Sequence, residues 1–289
     1  MKWWTKSWNP VVGCTKCSPA CENCYAETRH TQRHKALLAG KKVAECYRKP
    51  FGQVQFLPER LENPLHWKTP QRIFVGNMGD LFHEVARSDW RDKIFDIMAQ
   101  CPQHTFMLLT KRPLRMNLYV QEWLNFHGET PLPNVWLGTT IWDQPSLERA
   151  LPFLLRTPAA LRFLSIEPML GPVVIPPDML KLLGWLICGG ETGPGARPMH
   201  PDWARSLRDQ CQAAGVPFFF KQWGEWAEGE EDGKRDHMNI TASGANWDKL
   251  PVDDALLGEA RDAMSMLRVG SSRAGRLLDG QEWSEVPRG

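Results

Sequence analysis

Residues 8–26 read WNPVVGCTKCSPACENCYA, and the rest of the chain is best understood from this stretch. Four of the eight cysteines fall inside eleven consecutive positions, 14–24. Thiolates packed so closely repel one another unless a proton, a disulfide bond or a metal takes up their charge. Because Pro10, Gly13 and Pro19 interrupt regular structure, the segment is predicted to form a loop that wraps around one centre.

Three kinds of site compete for these cysteines. A disulfide bond is disfavoured, because no secretory signal is recognised in the sequence and cytosolic thiols stay reduced. A structural zinc site usually joins two cysteine pairs that lie about 15–20 residues apart, whereas only three residues separate the two CxxC units here. An iron–sulfur cluster fits better, since closely spaced loop cysteines are how proteins hold such clusters.

The same residues carry a resemblance to a known family. Residues 13–26 follow the pattern Gly-Cys-Thr-Lys-x-Ser-Pro-x-Cys-x-x-Cys-Tyr-Ala. This pattern resembles the signature of a phage- and prophage-associated family of radical S-adenosylmethionine (SAM) enzymes. Residues 189–198, GGETGPGARP, are similar to the glycine-rich segment of that family. Further similarity covers most of 8–226 and returns at 274–280.

The resemblance implies a [4Fe–4S] cluster ligated by Cys14, Cys21 and Cys24, with the wide spacing C-x6-C-x2-C. Cys17 is expected to be a bystander rather than a fourth or reserve ligand. Three thiolates on four irons leave one iron open, which distinguishes a reactive centre from a closed structural one. SAM would bind there, and one electron would cleave it to methionine and a 5′-deoxyadenosyl radical. An electron donor such as flavodoxin or ferredoxin is implied.

The remainder of the chain predicts an α/β fold. From residue 72 onward, short apolar runs are each followed by polar residues and then by a helical stretch, a pattern typical of a parallel sheet. Strands are predicted in 1–13, 73–76, 105–109, 135–138, 161–164, 185–188 and 216–220, and helices at 25–38, 90–100, 146–155, 178–183 and 200–214. The family fold is a partial (β/α) TIM-like barrel of the radical SAM type. We therefore expect a barrel over 1–226 and a C-terminal extension, 227–289, packed on it.

Polar residues follow the apolar runs at the strand ends, where parallel barrels gather their chemistry. Charges there are costly to bury unless they meet a ligand or a partner. The predicted SAM contacts are Asp80, Thr139, Glu167, Gly189, Gly190 and Glu191. The predicted catalytic residues are Lys111 and Lys221, which with Arg112 would hold an anionic substrate. Helix capping and mutual ion pairs remain the alternative for each of these residues.

Three of these predicted SAM contacts come from the glycine-rich segment. Gly189 and Gly190 would let the backbone approach a ligand closely, and Glu191 can receive an ammonium group or ribose hydroxyls. The rival interpretation of Glu191 is an ion pair with Arg197 or Lys221 that braces the loop.

Charge is balanced globally but not locally. The chain has 35 Lys and Arg residues against 33 Asp and Glu residues, so no overall field attracts nucleic acid. The segment 29–49 nevertheless carries seven Lys and Arg residues against a single acid, Glu45. Such a cluster is either a solvated surface or a patch that contacts the phosphates of DNA. No apolar run is long enough to cross a membrane, and the cytoplasm, or the host cytoplasm of a phage, is the expected compartment.

The predicted function is therefore radical SAM chemistry. Phage association makes a nucleobase in DNA the first expected substrate, for example in the radical rearrangement of an amino-acid-modified thymine during DNA hypermodification, an isomerase or mutase reaction. Modification or repair of another nucleic acid or nucleotide is one alternative. A non-catalytic zinc- or cluster-containing protein that binds nucleic acid is the alternative from a different class.

Overall fold

The computed structural model describes residues 2–128, 130–246 and 262–287. The chain divides into two compact units. The first comprises the described residues of 1–140 and 150–163, and the second those of 141–149 and 164–289. The predicted boundary after residue 226 is not one of these divisions, and 247–261 and 288–289 of the predicted extension lie outside the described residues.

Strands and helices alternate along most of the chain. The strands are β1 Lys6–Trp8, β2 Val11–Val12, β3 Gln55–Phe56, β4 Arg72–Val75, β5 Thr105–Thr110, β6 Val135–Ile141, β7 Leu161–Ile166, β8 Trp185–Gly189, β9 Phe218–Gln222, β10 Trp226–Glu228, β11 His237–Ile240, β12 Met264–Arg268, β13 Leu277–Leu278 and β14 Gln281–Glu282. The α-helices are α1 Tyr25–Leu38, α2 Ser88–Ala99, α3 Pro113–His127, α4 Gln144–Arg156, α5 Pro177–Leu180, α6 Pro201–Ala214 and α7 Ser271–Ala274.

The largest sheet has seven strands in the order β1-β4-β5-β6-β7-β8-β9. The pairings β1–β4, β4–β5, β5–β6 and β8–β9 are all parallel. Helices follow β4, β5, β6, β7 and β8 along the chain, so consecutive parallel strands are joined by helical crossovers. The predicted α/β class is confirmed, and this topology is compatible with a partial (β/α) barrel.

In the first unit the predicted single strand within 1–13 is wrong. Lys6–Trp8 pairs in parallel with β4, whereas Val11–Val12 leaves the large sheet and pairs antiparallel with β3. Pro10 separates the two strands. Proline lacks the N–H that a continuing ladder needs, so the chain turns away at this point and starts the cysteine loop.

The second unit contains the helix whose limits the sequence marked most clearly. Helix α6 begins at Pro201, and the His200 side chain accepts a hydrogen bond from the Asp202 N–H at 3.2 Å. It ends before Gly215, which adopts φ +68° in the left-handed region that glycine tolerates. The predicted end at 214 is confirmed, and the helix begins one residue after the predicted start at 200.

Several elements were not anticipated, among them one long helix and a small antiparallel sheet. Helix α3 follows Arg112 directly, with Pro113 in its first turn, and the three-stranded antiparallel sheet β10-β12-β11 occupies part of the predicted extension. Cys46, Cys101, Cys188 and Cys211 are buried. Among the helices of the described residues, none combines the length and the apolar character needed to cross a membrane.

Candidate metal centre

The cysteine loop of the first unit runs from β2 to α1 and is fixed at its start by backbone contacts. The Gly13 N–H donates to the Met78 carbonyl and the Cys14 N–H to the Phe51 carbonyl, each at 3.0 Å. Gly13 has φ +99°, and a Cβ atom there would lie 2.8 Å from the Phe51 oxygen. Only glycine satisfies both the backbone angle and this close approach, so the position of Cys14 depends on its neighbour.

The loop presents four thiols that form no disulfide bond. Cys14, Cys21 and Cys24 are partly buried, whereas Cys17 is exposed. Cys24 is the residue before α1, and the next side chain, Tyr25, donates its hydroxyl to the Asn77 carbonyl at 2.6 Å. Within the described ranges, no group of three or more His, Cys, Asp or Glu residues is placed to hold a single metal ion.

Arg112 is the cation next to Cys14. Its Nη1 lies 3.5 Å from the Cys14 Sγ and donates to Asp80 Oδ2 at 3.0 Å. Its Nε donates to both Glu84 oxygens, at 2.8 and 3.0 Å, and its Nη2 to the Thr15 carbonyl at 3.2 Å. Only 7% of Arg112 is exposed. All three guanidinium nitrogens are therefore occupied, and the predicted contact of Arg112 with an anionic substrate would need these bonds to open.

Asp80 is held on its other side by β5. The Thr110 hydroxyl lies 2.8 and 2.9 Å from the two Asp80 oxygens, and the Phe82 N–H donates to Oδ1 at 2.9 Å. Thr139 is fully buried, and its hydroxyl donates to the Thr110 carbonyl at 2.9 Å. The two predicted SAM contacts of this unit, Asp80 and Thr139, thus lie in one hydrogen-bonded network behind Cys14.

The thiols of the loop differ in acidity. Burial, with the Asp80 carboxylate second, raises the pKa of Cys14 to about 11, while Arg112 acts in the opposite direction. A hydrogen bond from Cys17 lowers the pKa of Cys21 to about 4, helped by the charge of Lys111. The same hydrogen bond raises the pKa of Cys17. Cys21 is therefore more readily present than Cys14 or Cys17 as thiolate, the form that ligates a metal.

Lys111 and Ser18 complete the surroundings of Cys21. Lys111 is partly buried and makes no hydrogen bond or ion pair through its ammonium group with any other residue that the structure describes. The Ser18 hydroxyl lies 3.3 Å from the Cys21 Sγ. Of the cations predicted to hold an anionic substrate, Lys111 is therefore the one whose ammonium is available.

In the second unit, Lys221 and Glu167 form an ion pair. Both side chains are about four-fifths buried, since each is 20% exposed. Lys221 lies on β9 and Glu167 directly follows β7. The mutual ion pair, which was the alternative to a substrate contact for Lys221, is the contact that the structure contains.

Gly189 ends β8 and Gly190 follows it, and of the two it is Gly190 that closely approaches the protein's own backbone. A Cβ atom on Gly190 would lie 1.9 Å from the Trp223 carbonyl oxygen, whereas one on Gly189 would meet nothing closer than the Lys221 Cβ at 3.4 Å. The glycine at position 190 is thus required by the neighbouring segment at Trp223. The sequence pattern alone did not distinguish this packing from approach to a ligand.

Glu191 is bound by Arg197. The guanidinium donates from Nη2 to Oε1 at 2.5 Å and from Nε to Oε2 at 2.8 Å, and the Arg197 backbone N–H adds a bond to Oε2 at 2.9 Å. The Glu191 side chain is 3% exposed. This is the bracing ion pair that the sequence offered as the rival of a SAM contact.

Comparison with known proteins gives one assignment. The model of a family described as "Protein of unknown function (DUF5131)" matches residues 1–287. The chain belongs to this family. No curated protein matches the DUF5131 chain, and no solved structure matches it. The family model therefore covers nearly the full length of the chain, and its description names no chemistry.

Two polar residues at the loop escaped the sequence analysis. The Thr15 hydroxyl lies 2.8 Å from Nε2 of His83, and Ser18 contacts Cys21 as described. Both belong to the quoted stretch 8–26, directly beside or between cysteines. Their position was visible in the sequence, but the segment that supplies His83 lies 68 residues away, so the contact itself was not.

Proposed function

We propose that this protein is a radical SAM enzyme that holds a [4Fe–4S] cluster with Cys14, Cys21 and Cys24. The observation that carries the proposal is the cysteine loop, which presents three partly buried thiols without disulfide bonds between β2 and α1. When bound, such a cluster supplies the electron that cleaves SAM and so produces an organic radical. The residues of the chain position the cofactor and shield it from water.

The chemistry of the donor set fits an iron–sulfur cluster. Thiolates are its preferred ligands, and hydrogen bonds to their sulfurs tune it. Arg112 provides such a donor 3.5 Å from the Cys14 Sγ, and the Ser18 hydroxyl lies 3.3 Å from the Cys21 Sγ. Cys17 is exposed and hydrogen-bonds to Cys21, which suits a neighbour of the cluster rather than a ligand.

The predicted SAM contacts have unequal support. Asp80 and Glu191 already bind arginine side chains through their carboxylates, and the Thr139 hydroxyl donates to the Thr110 carbonyl. Glu167 shares its carboxylate with Lys221 and keeps some exposure. Among the acids proposed, Glu167 is therefore the one best suited to receive a hydroxyl or ammonium group of SAM.

For the substrate we propose a nucleobase in phage DNA, with rearrangement of an amino-acid-modified thymine as the concrete version. The resemblance to a phage-associated family supports it. The seven Lys and Arg residues of 29–49 are all exposed, as a phosphate-contacting surface requires. Lys111, partly buried beside the cluster loop, is the cation proposed to meet an anionic group of the substrate, and flavodoxin or ferredoxin would supply the electron.

Cysteine variants test the proposal. Anaerobic reconstitution of the wild type should give a brown protein with about four irons per chain. Replacement of Cys14, Cys21 or Cys24 by Ala should abolish the iron–sulfur absorbance, because a methyl group cannot replace a thiolate ligand. Cys17→Ala should retain it and serves as the matched control. Equal iron loss in all four variants would indicate a closed four-cysteine site and contradict the open cluster.

A further inference from the structure

We propose that Arg112 and Asp80 form a charge couple that sets the reduction potential of the cluster through Cys14. The inference rests on the proposed function, because it needs a cluster ligated by Cys14. Arg112 contacts the ligand rather than the cluster, so it is a positioning residue.

Arg112 contacts both Cys14 and the residue beside it. The Arg112 Nη1 lies 3.5 Å from the Cys14 Sγ, and the backbone carbonyl of the adjacent Thr15 accepts from Nη2 of the same guanidinium. The Arg112 guanidinium therefore contacts both the predicted ligand Cys14 and the backbone of Thr15. A hydrogen bond from a cation to a ligand sulfur withdraws negative charge from the cluster and favours its reduced state.

Asp80 supplies the counter-charge to Arg112. Asp80 Oδ2 lies 3.0 Å from the same Nη1 atom, and the side chains of Asp80 and Arg112 are 8% and 6% exposed. With so little water near, the two charges act strongly on each other and on Cys14. The carboxylate offsets part of the arginine charge, so the potential depends on the balance of the pair.

Both members of the couple are held in place by further hydrogen bonds. Thr110 on β5 and the Phe82 N–H hold Asp80, while Glu84 binds the Nε of Arg112. Arg112 itself is the residue that precedes α3. A guanidinium fixed by partners on several sides cannot turn away from Cys14, so its charge stays where it acts on the ligand.

The two members of the couple are predicted to shift the potential in opposite directions. Arg112→Gln removes the donor and leaves the Asp80 charge uncompensated near Cys14, so the midpoint potential should become more negative. Asp80→Asn keeps the shape and the arginine, so the potential should become less negative. A purely structural role would not produce shifts of opposite sign.

The experiment is a redox titration of anaerobically reconstituted protein with titanium(III) citrate, followed by electron paramagnetic resonance. The matched control is Arg87→Gln, which removes the same charge from an exposed side chain. Arg87 binds Asp89 and contacts no cysteine of the described residues. Its potential should equal that of the wild type.

The outcomes separate the inference from the proposed function. Opposite shifts in the Arg112 and Asp80 variants, with Arg87→Gln unchanged, would support the charge couple. Unchanged potentials in both variants, in a protein that holds its cluster, would overturn the couple and leave the proposed function standing. A wild type that takes up no cluster would overturn both. If Arg112→Gln loses its cluster, Asp80→Asn alone tests the couple: a less negative midpoint potential would support it, and an unchanged or more negative one would overturn it.

Discussion

Two buried carboxylates that the sequence predicted as ligand contacts, Asp80 and Glu191, are each bound by an arginine. Arg112 binds Asp80 and Arg197 binds Glu191. A buried carboxylate without a partner would be far less stable than one in water, so a site that lacks its ligand needs an internal cation. Each pair therefore explains how a charged residue can persist at a strand end.

Glu191 gives a prediction about which partner matters. Glu191→Gln keeps the shape and removes the charge that Arg197 binds, so we expect the free energy of unfolding to fall by about 1.5–3 kcal/mol, the range for a hydrogen bond to a charged group. SAM affinity of the folded, reconstituted protein should stay close to that of the wild type. Denaturant unfolding and SAM titration measure the two effects.

The control for this prediction is Glu231→Gln, since Glu231 is exposed and forms no ion pair with the described residues. It should leave both measurements unchanged. A Glu191 variant of normal stability that has lost SAM affinity would show that the carboxylate holds SAM and that its role in bracing the loop is minor.

The turn after β8 shows how a strand end can require glycine without a ligand. Gly190→Ala would place a methyl group 1.9 Å from a backbone oxygen of Trp223. Overpacking against side chains costs about 1–3 kcal/mol, and a backbone atom cannot rotate away. We therefore expect Gly190→Ala to destabilise the protein by more than about 3 kcal/mol in thermal or denaturant unfolding.

The neighbouring glycine is the matched control. A Cβ atom on Gly189 would make an ordinary contact with Lys221 at 3.4 Å, so Gly189→Ala should change stability by much less. Comparable losses for both variants would contradict the packing account of this turn.

The basic segment around α1 leads to a test of DNA binding. Its Lys and Arg residues are exposed, and Arg33 lies over the Tyr47 ring at 5.2 Å. If Lys41 and Lys42 contact phosphates, the double variant Lys41→Glu/Lys42→Glu should weaken DNA binding. It should also reduce the slope of log affinity against log salt by about 2.

Fluorescence anisotropy over a salt series measures this effect. The control is Lys181→Glu/Lys234→Glu, an equal charge change at two exposed lysines outside the segment. Unchanged DNA affinity of the Lys41→Glu/Lys42→Glu variant at low salt would indicate that the segment is a solvated surface that does not contact phosphates.

Periodicity predicted the strands of the large sheet well, because each buried strand is a continuous apolar run. It missed α3, whose buried and exposed faces both contain large apolar residues, such as Met116 and Leu118. It also divided the start of the chain wrongly, since the pairing of Val11–Val12 with β3 depends on a segment more than forty residues away. Long-range partners of this kind leave no local signal.

The sequence indicated the cysteine ligands of the candidate site, but not the residues that hold them in place. The four cysteines of 14–24 stand out in the sequence itself. The contact of Arg112 with Cys14 spans 98 residues, and Glu191 could equally have bound a ligand or Arg197. Sequence identifies residues that carry chemistry, whereas the fold decides which of them are already bound to each other.

The protein combines a seven-stranded α/β sheet, a cysteine loop that follows β2 outside this sheet, and an exposed basic segment next to that loop in sequence. Placement of reactive groups after the strands of a parallel sheet is how many α/β enzymes build their sites. The arrangement suits an enzyme in which a reactive cofactor is held by the protein and a polyanionic substrate is held at the surface.

Reductive cleavage of SAM tests this account most directly. The anaerobically reconstituted protein is incubated with SAM and titanium(III) citrate, and 5′-deoxyadenosine and methionine are quantified by mass spectrometry, with Cys14→Ala as the control. We predict both products from the wild type and neither from the variant. A colourless wild type that retains tightly bound zinc and leaves SAM intact would contradict the account.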